Sequence, residues 1–165
     1  MIPAKKSVAP ANTMVSLIEA LRPLAPIPSA PAVLQARRNA LARESFLARH
    51  GVFEVQEAVV SAGYKTRNPA EQFSRWLAAG KVFAVETAGR RVLPAFQFDP
   101  ISGQLRFEVV ELLQIFKGHR SGWEIALWMA SPNGWLDAAS PIDLWPRDAA
   151  RVLAAARHEV AAVGT

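Results

Sequence analysis

Side chains of the kinds that read DNA bases are concentrated in one short segment of the chain. They are Thr66, Arg67, Asn68, Gln72 and Arg75. An arginine can donate two hydrogen bonds to guanine in the major groove, and an asparagine or glutamine can pair in the same way with adenine. We expect Thr66, Arg67 and Asn68 at the start of a helix, followed by Glu71, Gln72 and Arg75 on one of its faces at i, i+3 or i+4 spacing.

The elements around this segment follow from capping and turn signals. Helical periodicity predicts three helices, each followed by a glycine that acts as a stop signal. Asn68 is a good N-cap residue and Pro69 a favoured first residue for the third helix. The pattern then alternates with period two, which predicts two strands joined by a turn. The predicted helices span residues 32–50, 53–62 and 69–79, and the predicted strands span 81–86 and 90–98.

Two short helices joined by a glycine-containing turn and followed by a β-hairpin form the outline of a winged helix-turn-helix. Arg90 and Arg91 lie at the hairpin tip, where a wing would contact phosphates or the minor groove. The order of elements resembles the winged helix of excisionases and MerR-type regulators, in which a basic strand-turn-strand follows the recognition helix. The turn over residues 63–69 departs from the usual pattern of those proteins.

The C-terminal third is helical and rich in tryptophan. Four of the five tryptophans lie between residues 123 and 145. Each could bury about 200 Å² in a helical core, or it could anchor a partner interface. Trp135 lies in a Pro-Asn-Gly loop, so we expect it to be the tryptophan that lies outside the core. The predicted helices span residues 107–117, 121–130 and 148–162, with a short turn near 141–145.

The run from Trp128 to Leu153 resembles the toxin-binding domain of Xre/MbcA/ParS-type antitoxins, and the resemblance extends over about residues 107–163. The family's pattern is a helix ending in Trp-Leu, a Pro-Asn loop, a leucine, a Pro-x-x-Leu turn and a final helix. The corresponding segments here read WMASPNGWL, SPIDL and AARVL. Met129 stands where leucine is usual, and residues 138–140 lack the glycine that commonly precedes the proline. Xre members also carry an all-helical DNA-binding domain in place of a winged one.

The resemblance implies a protein partner, because in the family this domain caps a RES-type toxin that consumes NAD. We expect the partner-binding residues to be Trp135, Arg147 and Arg151.

The basic charge lies mainly in the first third of the chain. The net charge is +5, and residues 1–50 carry seven lysines and arginines against two glutamates, whereas residues 101–165 carry six against seven acidic residues. Six of the twelve prolines lie within residues 1–33. This composition predicts a flexible basic arm at residues 1–35, interrupted by an amphipathic stretch at Met14–Leu24 that could dock on a neighbour. Such an arm fits phosphate contact, and the alternative is a solvated tail.

The residue inventory argues against an enzyme. The chain has no cysteine, and it has no HExxH, GxSxG, P-loop or GxGxxG pattern. We interpret its three histidines as surface or capping residues, and Asp137, Asp143 and Asp148 as loop and helix-capping residues rather than metal ligands. We therefore expect no catalytic residue, metal or cofactor. No apolar run approaches the roughly 20 residues that span a bilayer, and no secretory signal is present, so we expect a cytoplasmic protein.

The sequence predicts a mainly helical protein with a small β-hairpin wing. The winged helix-turn-helix is expected at residues 36–99 and a helical protein-binding domain at residues 104–163. The expected function is that of an antitoxin-like transcription regulator, which neutralises a RES-like toxin and binds its own promoter, as a homodimer on paired half-sites. The alternative is an adaptor that binds no DNA and uses only the tryptophan-rich domain.

Overall fold

The structure is a computed structural model that describes residues 28–163. It is mainly helical, with one small three-stranded antiparallel sheet. The elements in chain order are α1 (Ala30–His50), β1 (Val52–Glu54), α2 (Val55–Ser61), α3 (Pro69–Ala78), β2 (Val85–Thr87), β3 (Arg90–Pro94), α4 (Glu108–Phe116), α5 (Gly122–Ala130), α6 (Pro141–Leu144) and α7 (Ala149–Val163). The predicted amphipathic stretch Met14–Leu24 and most of the predicted arm lie outside the described residues.

The chain divides into two compact units, and the second begins at Ala40. The first unit contributes the first ten residues of α1 to the described part of the chain. The second unit contains the remainder of α1 and every later element. No helix within residues 28–163 is both long and apolar enough to cross a membrane.

The helix pair α2–α3 forms where the capping signals predict it. Asn68 is the N-cap of α3, and its side chain accepts a hydrogen bond from the backbone N–H of Glu71. Pro69 occupies the first helical turn, where its missing N–H costs nothing. Gly63, between the two helices, has a φ of +84°, a backbone conformation that glycine adopts without steric cost.

The sheet differs from the predicted hairpin by one strand. Its order is β1-β3-β2, and Phe53 of β1 is paired with Leu93 of β3. The prediction of a helix from Phe53 was therefore wrong for its first two residues, because Phe53 and Glu54 are held in the sheet and α2 begins at Val55. The strands β2 and β3 are joined by a tight turn in which Ala88 and Gly89 both have positive φ, as a type I′ hairpin turn requires.

Both strands of the hairpin are shorter than predicted. β2 begins at Val85, because the Phe83 backbone pairs with a side chain instead of a strand. The Gln97 amide oxygen accepts from the Phe83 N–H at 2.8 Å, and the Gln97 amide nitrogen donates to the Phe83 carbonyl at 2.9 Å. β3 ends at Pro94, and a short 3-10 turn follows over Ala95–Gln97.

Two hydrophobic clusters form the core of the second unit. The smaller cluster lies under the α2–α3 pair and includes Phe73 and Trp76 of α3 together with Leu93 of β3. The larger cluster lies among α4, α5 and α7, and it also includes Val85 and Val92 of the hairpin. The hairpin and the C-terminal helices therefore share a core. The boundary near residue 100 between a winged helix-turn-helix and a protein-binding domain stays a prediction.

Local signals also set the start of α5. Ser121 and Glu124 form a capping box, in which each side chain bonds the other residue's backbone N–H. Gly122 packs against the chain that enters β2: a Cβ placed on it would lie 2.6 Å from the Ala84 carbonyl oxygen. The helix can therefore approach this backbone only because residue 122 has no side chain.

Candidate DNA and partner interfaces

The residues expected to read DNA bases lie in the turn before α3, at its N-cap and on the helix itself, and four of the five are exposed. Thr66, Arg67, Asn68 and Arg75 are exposed, whereas Gln72 is half-buried. The opposite face of α3 is fixed in the smaller core, with both of its aromatic side chains buried. α3 thus has one apolar face that sets its orientation and one polar face directed toward solvent.

The side chain of Asn68 has a structural role in addition to the expected one. Its amide oxygen caps α3 by accepting from the Glu71 N–H at 3.3 Å. The hydroxyl oxygen of Thr66 in turn accepts from the Asn68 backbone N–H at 3.1 Å. A contact between Asn68 and a base would therefore have to use the amide NH₂ group or displace the cap.

Arg75 is paired on the helix surface with Glu71, one turn before it, although both side chains remain more than half exposed. Exposed pairs at this spacing contribute about 0.3–0.5 kcal/mol, so the guanidinium can exchange this carboxylate for another acceptor. The sequence predicted Glu71 on the same helix face but not this pairing, which the i, i+4 spacing of the two charges could have indicated.

The hairpin tip carries two exposed arginines with different neighbours. Arg90 is paired with Glu54 of β1 at 2.9 Å. The Arg91 guanidinium lies 5.2 Å from the centre of the Phe73 ring, within the range of a cation–π contact. This contact joins the hairpin to α3, so the two basic elements of the expected DNA interface are neighbours.

Trp135 lies outside the core, as its loop position predicted, with 56% of its surface exposed. Its indole stacks on the His158 ring of α7, with ring centres 4.3 Å apart and an angle of 13° between the planes. The backbone N–H of Trp135 donates to the side-chain oxygen of the buried Asn133 at 2.9 Å. The first contact places the indole against α7, and the second holds the backbone of the loop that carries it.

The two arginines expected to bind a partner are also exposed. Arg147 donates to the Asp143 carbonyl at 3.4 Å. Arg151 is paired with Asp137 at 2.5 Å, and its backbone N–H donates to the Asp148 side chain at the start of α7. Trp135 and the two arginines therefore lie on three successive segments, namely the Pro-Asn loop, the turn between α6 and α7, and the first turn of α7.

An open groove of about 680 Å³ lies beside Trp135. The sequence did not predict it, because it forms between α5, the Pro-Asn loop and α7. The groove is lined by Arg120, Glu124, Leu127, Trp128, Trp135 and Glu159, among others. Its lining combines an apolar floor with three charged side chains.

Two carboxylates of the described chain, Asp99 and Glu124, accept hydrogen bonds from nearby backbone N–H groups that lower their pKa values. Hydrogen bonds from the Ser102 backbone N–H and hydroxyl, and then from the Ile101 N–H, lower the pKa of Asp99. The pKa of Glu124 is lowered in the same way, mainly by the Ser121 backbone N–H. Within residues 28–163 no group of three or more histidine or acidic side chains is placed to hold a metal ion.

Comparison with known proteins gives a fold relationship only. No protein-family model matches the chain, and no curated protein matches it. Among solved structures, the chain is similar to the NMR structure of Rv2175c, with a TM-score of 0.58 and 24% sequence identity over 68% of this chain and 82% of that one. At that identity the similarity shows that the two chains share a fold.

Proposed function

We propose that this protein is an antitoxin-like DNA-binding regulator. The α2–α3 pair and the β2–β3 hairpin bind DNA at the protein's own promoter, and the C-terminal helices bind and neutralise a RES-like toxin. A homodimer would place two copies of α3 on paired half-sites.

The observation that carries the DNA-binding proposal is the two-faced character of α3. Phe73 and Trp76 are each only 2% exposed, so the helix cannot turn its polar face inward. The opposite face presents Arg75 to solvent, and Arg67 is exposed in the turn that leads into the helix. A helix with an exposed polar face and start of this kind fits the major groove.

The hairpin supplies the second part of the DNA interface. Arg90 and Arg91 are exposed, and Arg91 contacts the Phe73 ring of α3. When α3 lies in the major groove, an adjacent basic hairpin is placed to contact the phosphate backbone or the neighbouring minor groove. The net charge of +5 adds a general attraction to DNA.

The proposal of a toxin partner is supported by the residue pattern from Trp128 to Leu153 and by Trp135. A tryptophan that is 56% exposed and stacked on a neighbouring ring is typical of an interface anchor. Arg147 and Arg151 lie nearby with their side chains exposed, so they could pair with acidic groups at the edge of that interface.

The experiment that tests DNA binding measures the affinity of the protein for the DNA upstream of its own gene. Arg75→Ala should weaken this binding by about 1–3 kcal/mol, or roughly 5- to 150-fold, if Arg75 contacts a base. Arg157→Ala is a matched control, since Arg157 is also an exposed arginine paired with a glutamate, but it lies on α7. Equal affinities of the unaltered protein and both variants would contradict the proposed role of α3.

The alternative function is that of an adaptor which binds only protein, and the exposed indole of Trp135 is the observation that favours it. Purification of partners from the native cell separates the two functions when it is combined with the DNA measurement. A toxin-like partner together with salt-sensitive DNA binding supports the regulator. A partner without DNA binding at low salt supports the adaptor.

A further inference from the structure

We infer that the groove beside Trp135 binds an extended polypeptide segment that carries an apolar side chain next to a lysine or arginine. This inference rests on the partner-binding half of the proposed function and specifies the chemistry of the partner. It is carried by the form of the groove, the stacked indole at its edge and the charges on its rim.

The groove offers an apolar surface that is already formed. Trp128 of α5 is 7% exposed and forms part of the lining together with Leu127, and the exposed indole of Trp135 stands at the edge. The indole stacks on His158 and therefore loses little conformational freedom on binding. A pre-organised aromatic beside an apolar cavity is the arrangement in which burial of one partner side chain stabilises a complex most.

The loop that forms one wall of the groove is held by its own hydrogen bonds. The side-chain oxygen of Asn133 accepts from the Trp135 N–H, and the Asn133 carbonyl accepts from Leu136 at 3.0 Å. The Ser131 hydroxyl donates to the Leu127 carbonyl at 2.7 Å, which closes the end of α5. The groove therefore does not depend on a partner to give it shape.

The rim of the groove carries one more negative than positive charge. Arg120 and Glu159 form an ion pair at 2.5 Å, and their charges offset each other. Glu124 also lines the groove, and the Ser121 backbone N–H that binds its carboxylate keeps the group ionised by lowering its pKa. A lysine or arginine next to the apolar anchor would meet this charge, whereas an acidic residue would be repelled.

The floor also contains a hydrogen-bond donor without a partner. The indole N–H of Trp128 is buried and has no acceptor among the described residues. An unsatisfied buried donor is unfavourable, and because this nitrogen has almost no accessible surface, a partner's backbone carbonyl would reach it only after a small movement of the Trp128 ring. A polypeptide segment supplies such carbonyls at every residue, and an open groove suits its extended form.

The test is selection of binding peptides from a random display library on the full-length protein. The selected peptides should share an aromatic or aliphatic residue next to lysine or arginine. Trp135→Ala should weaken their binding at least 10-fold, and so should replacement of the peptide's basic residue by glutamate. Phe107→Ala is the matched control, because Phe107 is an exposed aromatic outside the groove, and it should leave binding unchanged.

The location of binding can be read from the indole N–H signals in NMR spectra. The signals of Trp128 and Trp135 should move when a selected peptide is added, while that of Trp76, buried under α3, should not. Failure to select a common sequence, selection of acidic peptides, or equal binding to Trp135→Ala would overturn the inference.

The outcomes for the groove and for the proposed function are distinguishable. If a toxin-like partner binds Trp135→Ala as tightly as the unaltered protein, the proposed function stands and the groove inference fails. If selected peptides bind the groove but the native cell yields no toxin-like partner, the groove inference stands and the toxin half of the proposed function fails.

Discussion

Gln97 shows how one buried polar side chain can replace a strand. It has no exposed surface, and its amide group bonds both the N–H and the carbonyl of Phe83 and also the Pro94 carbonyl at 3.3 Å. These bonds hold the backbone at Phe83, just before β2, where it does not pair with a neighbouring strand. A glutamine in a sequence of alternating apolar residues gives no local sign of this role.

Gln97→Met keeps most of the side-chain volume but removes these three hydrogen bonds. We expect it to lower the free energy of unfolding by at least about 2 kcal/mol, because the Phe83 backbone groups are left buried and unpaired. Urea unfolding followed by circular dichroism measures this change. A loss no larger than that caused by an exposed substitution such as Gln114→Met would show that the Phe83 groups find other partners.

Asp99 makes the turn before α4 sensitive to acid. Its carboxylate accepts from the Ser102 and Ile101 N–H groups at 2.8 and 3.0 Å, and these bonds lower its pKa below the ordinary 3.8. A lowered pKa in the folded state means that the stabilisation is complete above the ordinary pKa and is lost as the pH falls through the lower value.

Asp99→Asn should therefore reduce stability at neutral pH, and its difference from the unaltered protein should shrink in acid. Comparison of the two unfolding free energies at neutral pH and at about pH 3 tests the expectation. If the difference between the two unfolding free energies instead grows as the pH falls, the pKa of Asp99 is not lowered in the folded protein.

At the scale of elements, helix ends were more predictable than strands. The end of α1 before Gly51 and the start of α3 at Pro69 follow from residues next to the boundary. β1 was missed because its partner, Leu93, lies 40 residues further along the chain from Phe53 and no local pattern records the pairing. The cap made by Asn68 follows from residues within one turn of it, whereas the groove beside Trp135 depends on contacts between segments that are distant in the sequence.

Gly122 offers a test in which two effects oppose each other. Alanine is a better helix former than glycine by about 1 kcal/mol, yet its Cβ would lie 2.6 Å from the Ala84 carbonyl oxygen. Because that oxygen belongs to backbone, we expect the clash to dominate and Gly122→Ala to lower stability by about 1–3 kcal/mol.

Gly134→Ala is the matched control for this substitution. Gly134 also opens a helical turn, but a Cβ there would meet no atom within 4 Å. Thermal unfolding of both variants measures the contrast. A stabilised Gly122→Ala protein would mean that α5 shifts away from the hairpin at little cost.

At the scale of the whole second unit, tryptophans tie the C-terminal helices to the sheet and the turn that follows it. The Trp123 indole donates to the Glu86 carbonyl of β2 at 3.0 Å, and the Trp145 indole donates to the Phe96 carbonyl at 3.0 Å. The hairpin and the C-terminal helices also share a hydrophobic cluster. Unfolding of either part would therefore expose the apolar surface of the other.

We therefore expect the unit that begins at Ala40 to unfold in one cooperative transition. Urea unfolding followed by helical circular dichroism and by tryptophan fluorescence should give the same midpoint. Two separate midpoints would instead indicate that the helix-turn-helix and the C-terminal helices are independent domains.

The proposal that α3 and the adjacent hairpin bind DNA is tested by the salt dependence of that binding. The affinity for the upstream DNA should fall steeply between about 50 and 200 mM salt. Arg90→Ala, which leaves the contact between Arg91 and Phe73 in place, should reduce the slope of log affinity against log salt by about one. No binding at low salt, or an affinity that does not change with salt, would contradict the proposal.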